Sequence, residues 1–237
     1  MKISFHTIRR LTFFLLVFIP WNAVAQKTPN QELRDIYLKI MTVSDYSVEA
    51  SISADIPLIK IVPVNAVLYF KQPDKFRIDS KNIAILPRQG FGNLAGIIQD
   101  SSAYTAVFTG NEEIGPIPAI IISVIPSTDT LDLILAKFWV DASRNLILKS
   151  QLTTRSNGTM QIDYFYETEA PFGLPERMIF TVDLKKFKIP KAVTAKMNNS
   201  GPTSKEADQT SKKGRILINL KNYKINTGLE DVLFDQK

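Results

Sequence analysis

LILAKFWVDASRNLILKSQLTTRSNGTMQIDYFY, residues 133–166, decides the fold. Its first and second apolar runs, 133–141 and 146–153, flank the polar tetrapeptide Ala142-Ser143-Arg144-Asn145. Residues 154–158 make a second turn, and beyond it Met160, Ile162, Tyr164 and Tyr166 recur at every second position. A period of two places successive side chains on opposite faces of a strand. Three such strands joined by short turns make an antiparallel meander with one apolar and one wet face.

The same pattern continues in both directions. Towards the C-terminus, residues 171–175 break the chain between two prolines, and Met178, Phe180, Val182 and Leu184 alternate after them. Ile216, Ile218 and Leu220 then oppose Asn219 and Lys221. Towards the N-terminus, Tyr46, Val48, Ala50, Ile52 and Ala54 alternate with small or acidic residues. A run over 64–71, the turn Gln72-Pro73-Asp74, and Phe76 and Ile78 beyond it predict a hairpin. One helix precedes all of this: Pro29-Asn30 offers a cap, and Leu33, Ile36, Tyr37 and Ile40 recur at helical spacing to about Met41. The expected class is mainly β (α+β), a large curved antiparallel sheet with an N-terminal helix.

Two further apolar stretches lack a clean strand period. Residues 83–98 are read as a short lid segment, and 114–126 (IGPIPAIIISVIP) as a strand between prolines. From 190 to 213 the composition turns to Lys, Ser, Thr, Asn, Gly and Pro, which predicts a flexible polar loop. Nine basic residues stand against two acidic ones over 185–215, so this loop is a solvated stretch or an electrostatic docking element.

Residues 1–25 read as a cleaved signal peptide. Lys2, Arg9 and Arg10 precede an apolar core over 11–21, and Ala23-Val24-Ala25 places cleavage before Gln26. The remainder, 26–237, is expected to form a single domain in the periplasm. The leader's three cations account for half of the formal charge of +6, so the mature chain is only mildly basic. The chain has no cysteine, hence no disulfide framework and no thiol for lipidation. Its single histidine, His6, lies in the leader. The mature chain therefore lacks the commonest general base, the commonest thiol nucleophile and the two commonest zinc ligands.

That inventory argues against an enzyme, a metal site or any cofactor. The glycines at 90, 92 and 96 have neither P-loop nor dinucleotide spacing, and the net charge gives no case for nucleic acid. The acidic pairs Glu112-Glu113, Asp129/Asp132, Glu167/Glu169 and Glu230-Asp231 all fall in turns or at strand ends, where a solvated charge is the default. Strand parity instead gathers apolar side chains on one face. Leu68, Phe70, Phe76, Ile78, Phe138, Leu148, Ile162, Tyr164, Phe180 and Val182 are the candidates for an apolar cavity. A single curved layer with one helix closes a core incompletely, and the space left over suits an acyl chain. Burial contributes about 0.8 kcal/mol per methylene, or on the order of 12 kcal/mol gross for sixteen carbons.

Four segments carry a family resemblance. VLYFKQPDKFRID (67–79) resembles the strand-turn-strand signature of periplasmic lipoprotein carriers of the LolA type. KFWVDASRNLILKSQLTTRSNGTMQIDYFY (137–166) resembles that superfamily's second hairpin. GLPERMIFTV (173–182) and KGRILINLKNYKINTGLEDVLF (213–234) are similar to its outer-membrane lipoprotein-sorting branch. The resemblance implies an open half-barrel closed by helices and short lid segments over an apolar cavity. It implies a monomeric, non-catalytic chaperone for lipoprotein acyl chains or other lipids, passing between an inner-membrane donor complex and an outer-membrane acceptor. Typical carriers hold an Arg before the turn proline, where it bonds the lid; here that lid-contact position is Gln72. The alternative reading is an envelope regulatory or scaffold protein that binds a protein partner with the same sheet.

Overall fold

The computed structural model describes residues 27–56, 59–60, 62–80, 93–128, 132–183 and 213–235. Residues 1–25, expected to be a signal peptide, lie outside the described residues, as do 83–92 of the expected lid segment and the expected 190–213 loop except for Lys213.

Helix α1 (Pro29–Ile40) begins one residue earlier than Pro29-Asn30 suggests, because Thr28 caps it. Gln31 N donates to Thr28 Oγ1 (3.3 Å), and Thr28 N donates to Gln31 Oε1 (2.8 Å). This reciprocal box satisfies two backbone donors that the first turn leaves open. Leu33 and Ile36, one turn apart, are buried in the main core.

The strands are β1 (Asp45–Ile56), β2 (Ile59–Lys60), β3 (Val64–Lys71), β4 (Lys75–Ser80), β5 (Tyr104–Ile114), β6 (Ile117–Pro126), β7 (Leu133–Asp141), β8 (Leu146–Thr154), β9 (Gly158–Phe165), β10 (Arg177–Asp183) and β11 (Lys213–Ile225). A short helix, α2 (Asn93–Ile98), follows β4 in the chain, and 3-10 turns span Ala170–Phe172 and Asp231–Phe234. Ten strands form one antiparallel sheet in the order β4-β3-β1-β11-β10-β9-β8-β7-β6-β5, and β2 pairs with β1 beside this path. β4 and β5 are the unpaired ends, so the curved sheet is an open half-barrel.

One face of every central strand turns to the core. The register Val48↔Leu68, Ile52↔Ile218, Ile218↔Met178, Phe180↔Ile162 and Ile122↔Phe138 aligns apolar rows across the sheet. Phe138, Phe180, Ile162, Ile122, Ile216 and Ile218 are completely buried there. α1 and α2 pack into the same cluster, with Leu94 and Ile97 against it and Ile98 inside it.

Three local features differ from strand parity. The apolar 114–126 stretch is the turn and return strand of a hairpin whose outgoing strand, β5, carries Glu112 and Glu113; Gly115 turns it at φ 61°. Between β7 and β8 the register shifts, so that Lys149 opposes Trp139 while Ile147 opposes Val140. Leu148 is therefore displaced from the concave face into a smaller cluster with Ala119 and Trp139 on the other side. One inserted residue inverts the parity beyond it. The third is Asn222 (φ 57°), which reverses the alternation of β11 and brings Tyr223 rather than Asn222 against the core.

Candidate functional site

A cavity of about 110 Å³ opens on the concave side, where the two halves of the sheet meet α1 and α2. β1 contributes Tyr46 and Val48, and β3 contributes Leu68 and Phe70. From the other half come Tyr164 and Tyr166 at the end of β9, Met178 of β10, and Leu220 and Tyr223 of β11. Ile40, Val43, Leu94 and Ala95 close it from the helical side, together with residues 173–175. Gly173 allows this last approach: it sits at φ 71°, 3.4 Å from the Lys39 side chain at the position a Cβ would take.

Of the ten cavity candidates, Leu68, Phe70 and Tyr164 line this space. Phe138, Ile162, Phe180 and Val182 share its concave face but fill solid core. Phe76 and Ile78 lie on the edge strand β4, opposite Phe70 and Leu68, and are about one third exposed (36% and 37%). They continue the lining outward to the rim. Leu148 is not at the site, for the reason given above.

Gln72 is the lid-contact candidate. Its Nε2 donates to the carbonyls of Met41 (3.1 Å) and Val43 (2.8 Å), and its backbone N–H donates to Ser44 O (2.8 Å). It thus ties the β3–β4 turn to the C-terminal end of α1 and the entry to β1. A neutral amide is enough for that, since carbonyls accept without a formal charge on the donor.

The end of the cavity away from β4 is rich in phenol groups. Tyr166 Oη donates to Ile147 O (2.9 Å), Tyr223 Oη donates to Pro175 O (2.8 Å), and Tyr164 Oη shares a hydrogen bond with Ser150 Oγ (3.0 Å). Burial pushes the Tyr164 hydroxyl up to about 12 and also raises Tyr46, Tyr166 and Tyr223 well above the ordinary tyrosine value. All four are neutral donors at any physiological pH. Tyr166 and Tyr223 are not among the parity candidates: one follows the last residue of β9, the other lies beyond the reversal at Asn222.

Glu112, Asp132 and Asp231, from three of the acidic pairs, are held by local partners. Glu112 accepts from Trp139 Nε1 (2.6 Å) and Lys149 Nζ (3.0 Å), and Lys149 lies 4.5 Å from the Trp139 ring centroid. Hydrogen bonds from Trp139 and Lys149 hold its carboxyl below the usual range. Asp132 binds Ser156, and Asp231 pairs with Lys71 (2.7 Å) and Lys75 (3.1 Å). Glu112 and Glu113 also border an open groove of about 490 Å³ beside the β7–β8 turn. There Asp141 is already held by Ser143 and Arg144. Among the described residues no three metal-ligating side chains cluster, and no helix is long and apolar enough to cross a membrane.

No protein-family model matches the chain, and no curated protein matches it. Solved structures do. A DUF1329 family protein from Desulfovibrio piger aligns with a TM-score of 0.57 at 13% identity, covering 89% of this chain and 98% of its own. A LolA superfamily protein from Nitrosomonas europaea aligns at 0.57 and 11% identity, covering 89% and 99%. An outer membrane lipoprotein-sorting protein domain from Vibrio parahaemolyticus aligns at 0.56 and 9% identity, covering 87% and 96%. The architecture is that of an open, helix-backed half-barrel. This chain has the LolA-like fold.

Proposed function

We propose that this protein is an exported, non-enzymatic carrier that binds the acyl chains of lipoproteins or related lipids in its half-barrel and releases them to the outer membrane. The observation that carries the reading is the apolar cavity continued by two exposed rungs. Phe70 passes to Phe76, and Leu68 to Ile78, so the lining runs without interruption to the open edge. The cavity's volume of about 110 Å³ is smaller than the roughly 150 Å³ that admits a benzene ring. It seats a section of a chain, while the rest lies along Phe76 and Ile78. Partial enclosure suits a carrier, which has to release what it binds. The periplasm, a monomeric state, and membrane donor and acceptor partners belong to this reading, as does the absence of any cofactor.

Native mass spectrometry on mature protein purified from the envelope without detergent tests it. The expected result is a bound mass of several hundred daltons that extracts into organic solvent. Protein that is empty and also refuses added lipid overturns the carrier reading in favour of a scaffold that binds a protein partner.

A further inference from the structure

Tyr46 is the one phenol of the four around the cavity whose hydroxyl has no hydrogen bond among the described residues. Its ring is fixed, stacked on Phe70 (centroids 5.3 Å) and edge-on to Tyr223 (5.7 Å), and the residue is only 9% exposed. A phenyl ring would make both contacts equally well, as Phe70 does beside it. The hydroxyl adds a donor with no partner among the described residues, on a side chain nine-tenths buried; polar groups so placed usually have one. It asks for an acceptor from whatever fills the cavity.

The surroundings restrict that acceptor. Among the described residues no lysine, arginine or histidine lines the space, so none of them would touch a buried anion there. Glu176 stands behind the tyrosines, its carboxylate accepting from the backbone N–H groups of Glu167 and Glu169 (both 2.7 Å); its charge reaches Tyr223 and, opposed there by Arg144, Tyr166. A carboxylate or phosphate ligand would need a cation that the described lining does not supply. A neutral carbonyl would not. From Tyr46 the register leads across the sheet through Phe70 to Phe76, an apolar track for whatever is attached to that carbonyl.

Resting on the carrier reading above, we propose that Tyr46 Oη donates a hydrogen bond to the ester or amide carbonyl of the bound acyl group, and that this end of the cavity selects neutral acyl esters and amides over free fatty acids. Tyr46 is then a specificity residue and the chain-lining residues supply the bulk of the affinity.

The test uses the full mature chain, stripped of lipid, with three probes of equal chain length: hexadecane, methyl palmitate labelled with carbon-13 at the carbonyl, and palmitate. Affinities are compared for wild type and Tyr46→Phe, and the carbonyl stretch of the bound ester is read by infrared spectroscopy. The wild type is expected to prefer the ester to palmitate and to lower its carbonyl frequency. Tyr46→Phe is expected to weaken ester binding about three- to tenfold, the worth of one neutral hydrogen bond, and to leave hexadecane unchanged. An unshifted carbonyl in the wild type, equal ester binding by the variant, or a preference for palmitate each overturns the assignment while leaving the carrier reading intact. Failure of the wild type to bind any of the three overturns the carrier reading and this assignment with it.

Discussion

Asp45 opens β1 and is 4% exposed, yet it has no cationic partner among the described residues; backbone and hydroxyl donors hold it instead. Thr227 N (2.9 Å), Gly228 N (3.1 Å) and the hydroxyls of Thr227 and Ser44 (both 3.2 Å) all donate to it. Burial pushes its carboxyl up, but these bonds outweigh burial and hold it below its ordinary value. A carboxylate with a depressed folded value stabilises the fold above its unfolded value of about 3.9, and that stability is lost as pH falls through the folded value. Asp45→Asn is therefore expected to cost about 1–3 kcal/mol in urea unfolding at pH 7 and much less at pH 3. Glu32 runs the other way: burial raises its carboxyl, and its Oε2 has no hydrogen bond among the described residues, with Lys27 4.0 Å away. A raised folded value removes stability as pH rises through it, so Glu32→Gln is expected to be neutral or to gain about 1 kcal/mol at pH 7, with the gain vanishing below pH 4. A loss at pH 7 would show that the charge is supported. Neither role was legible in the sequence, where Asp45 is one polar residue ahead of a strand and the donors it serves come 182 positions later.

At the scale of elements, apolar runs and alternation between turn residues located β1, β3, β4 and β7 to β11. β5 escaped this reading: in YTAVFTGNEEI all but three residues are exposed, so no apolar stripe marks it, and its pairing with β6 carries a register shift at Gly110. The site suffered from the same cause. Parity picks Leu68, Phe70 and Tyr164, which border the cavity, and Leu148, which a bulge turns to the other side, and it passes over Tyr223 beyond a left-handed Asn, since an irregular residue is invisible to a rule of strict alternation. Gln72 shows how turns fix elements relative to one another. Gln72→Ala removes both side-chain bonds to the 41–43 carbonyls, and the expected cost is about 1–3 kcal/mol with faster hydrogen exchange confined to the α1–β1 connection. Exchange that quickens evenly along the chain would mean that the contact only adds global stability.

For the molecule as a whole, the cavity lies between packed core and open edge, so its volume can be altered with little effect on the fold. Ala95 of α2 lines it and is only partly buried. Ala95→Leu is expected to fill part of the space, leave the melting temperature unchanged or slightly raised, and weaken acyl-chain binding about tenfold. Unchanged binding would place the chain elsewhere on the sheet. The pairing of β1 with β11, Tyr46 against Ile225 through Asp55 against Arg215, has a consequence of another kind. The middle of the sheet is built from the two ends of the chain. During synthesis β5 to β10 can zip together by successive hairpins, and β1, β3 and β4 can do the same, but the two blocks have no common strand until residues 213–225 have emerged. Such distant pairing is slow to form and leaves two apolar half-sheets waiting with open edges. The last strand made is the one that turns two sticky fragments into one molecule, and the interval before it arrives is when this chain most needs protection from its neighbours.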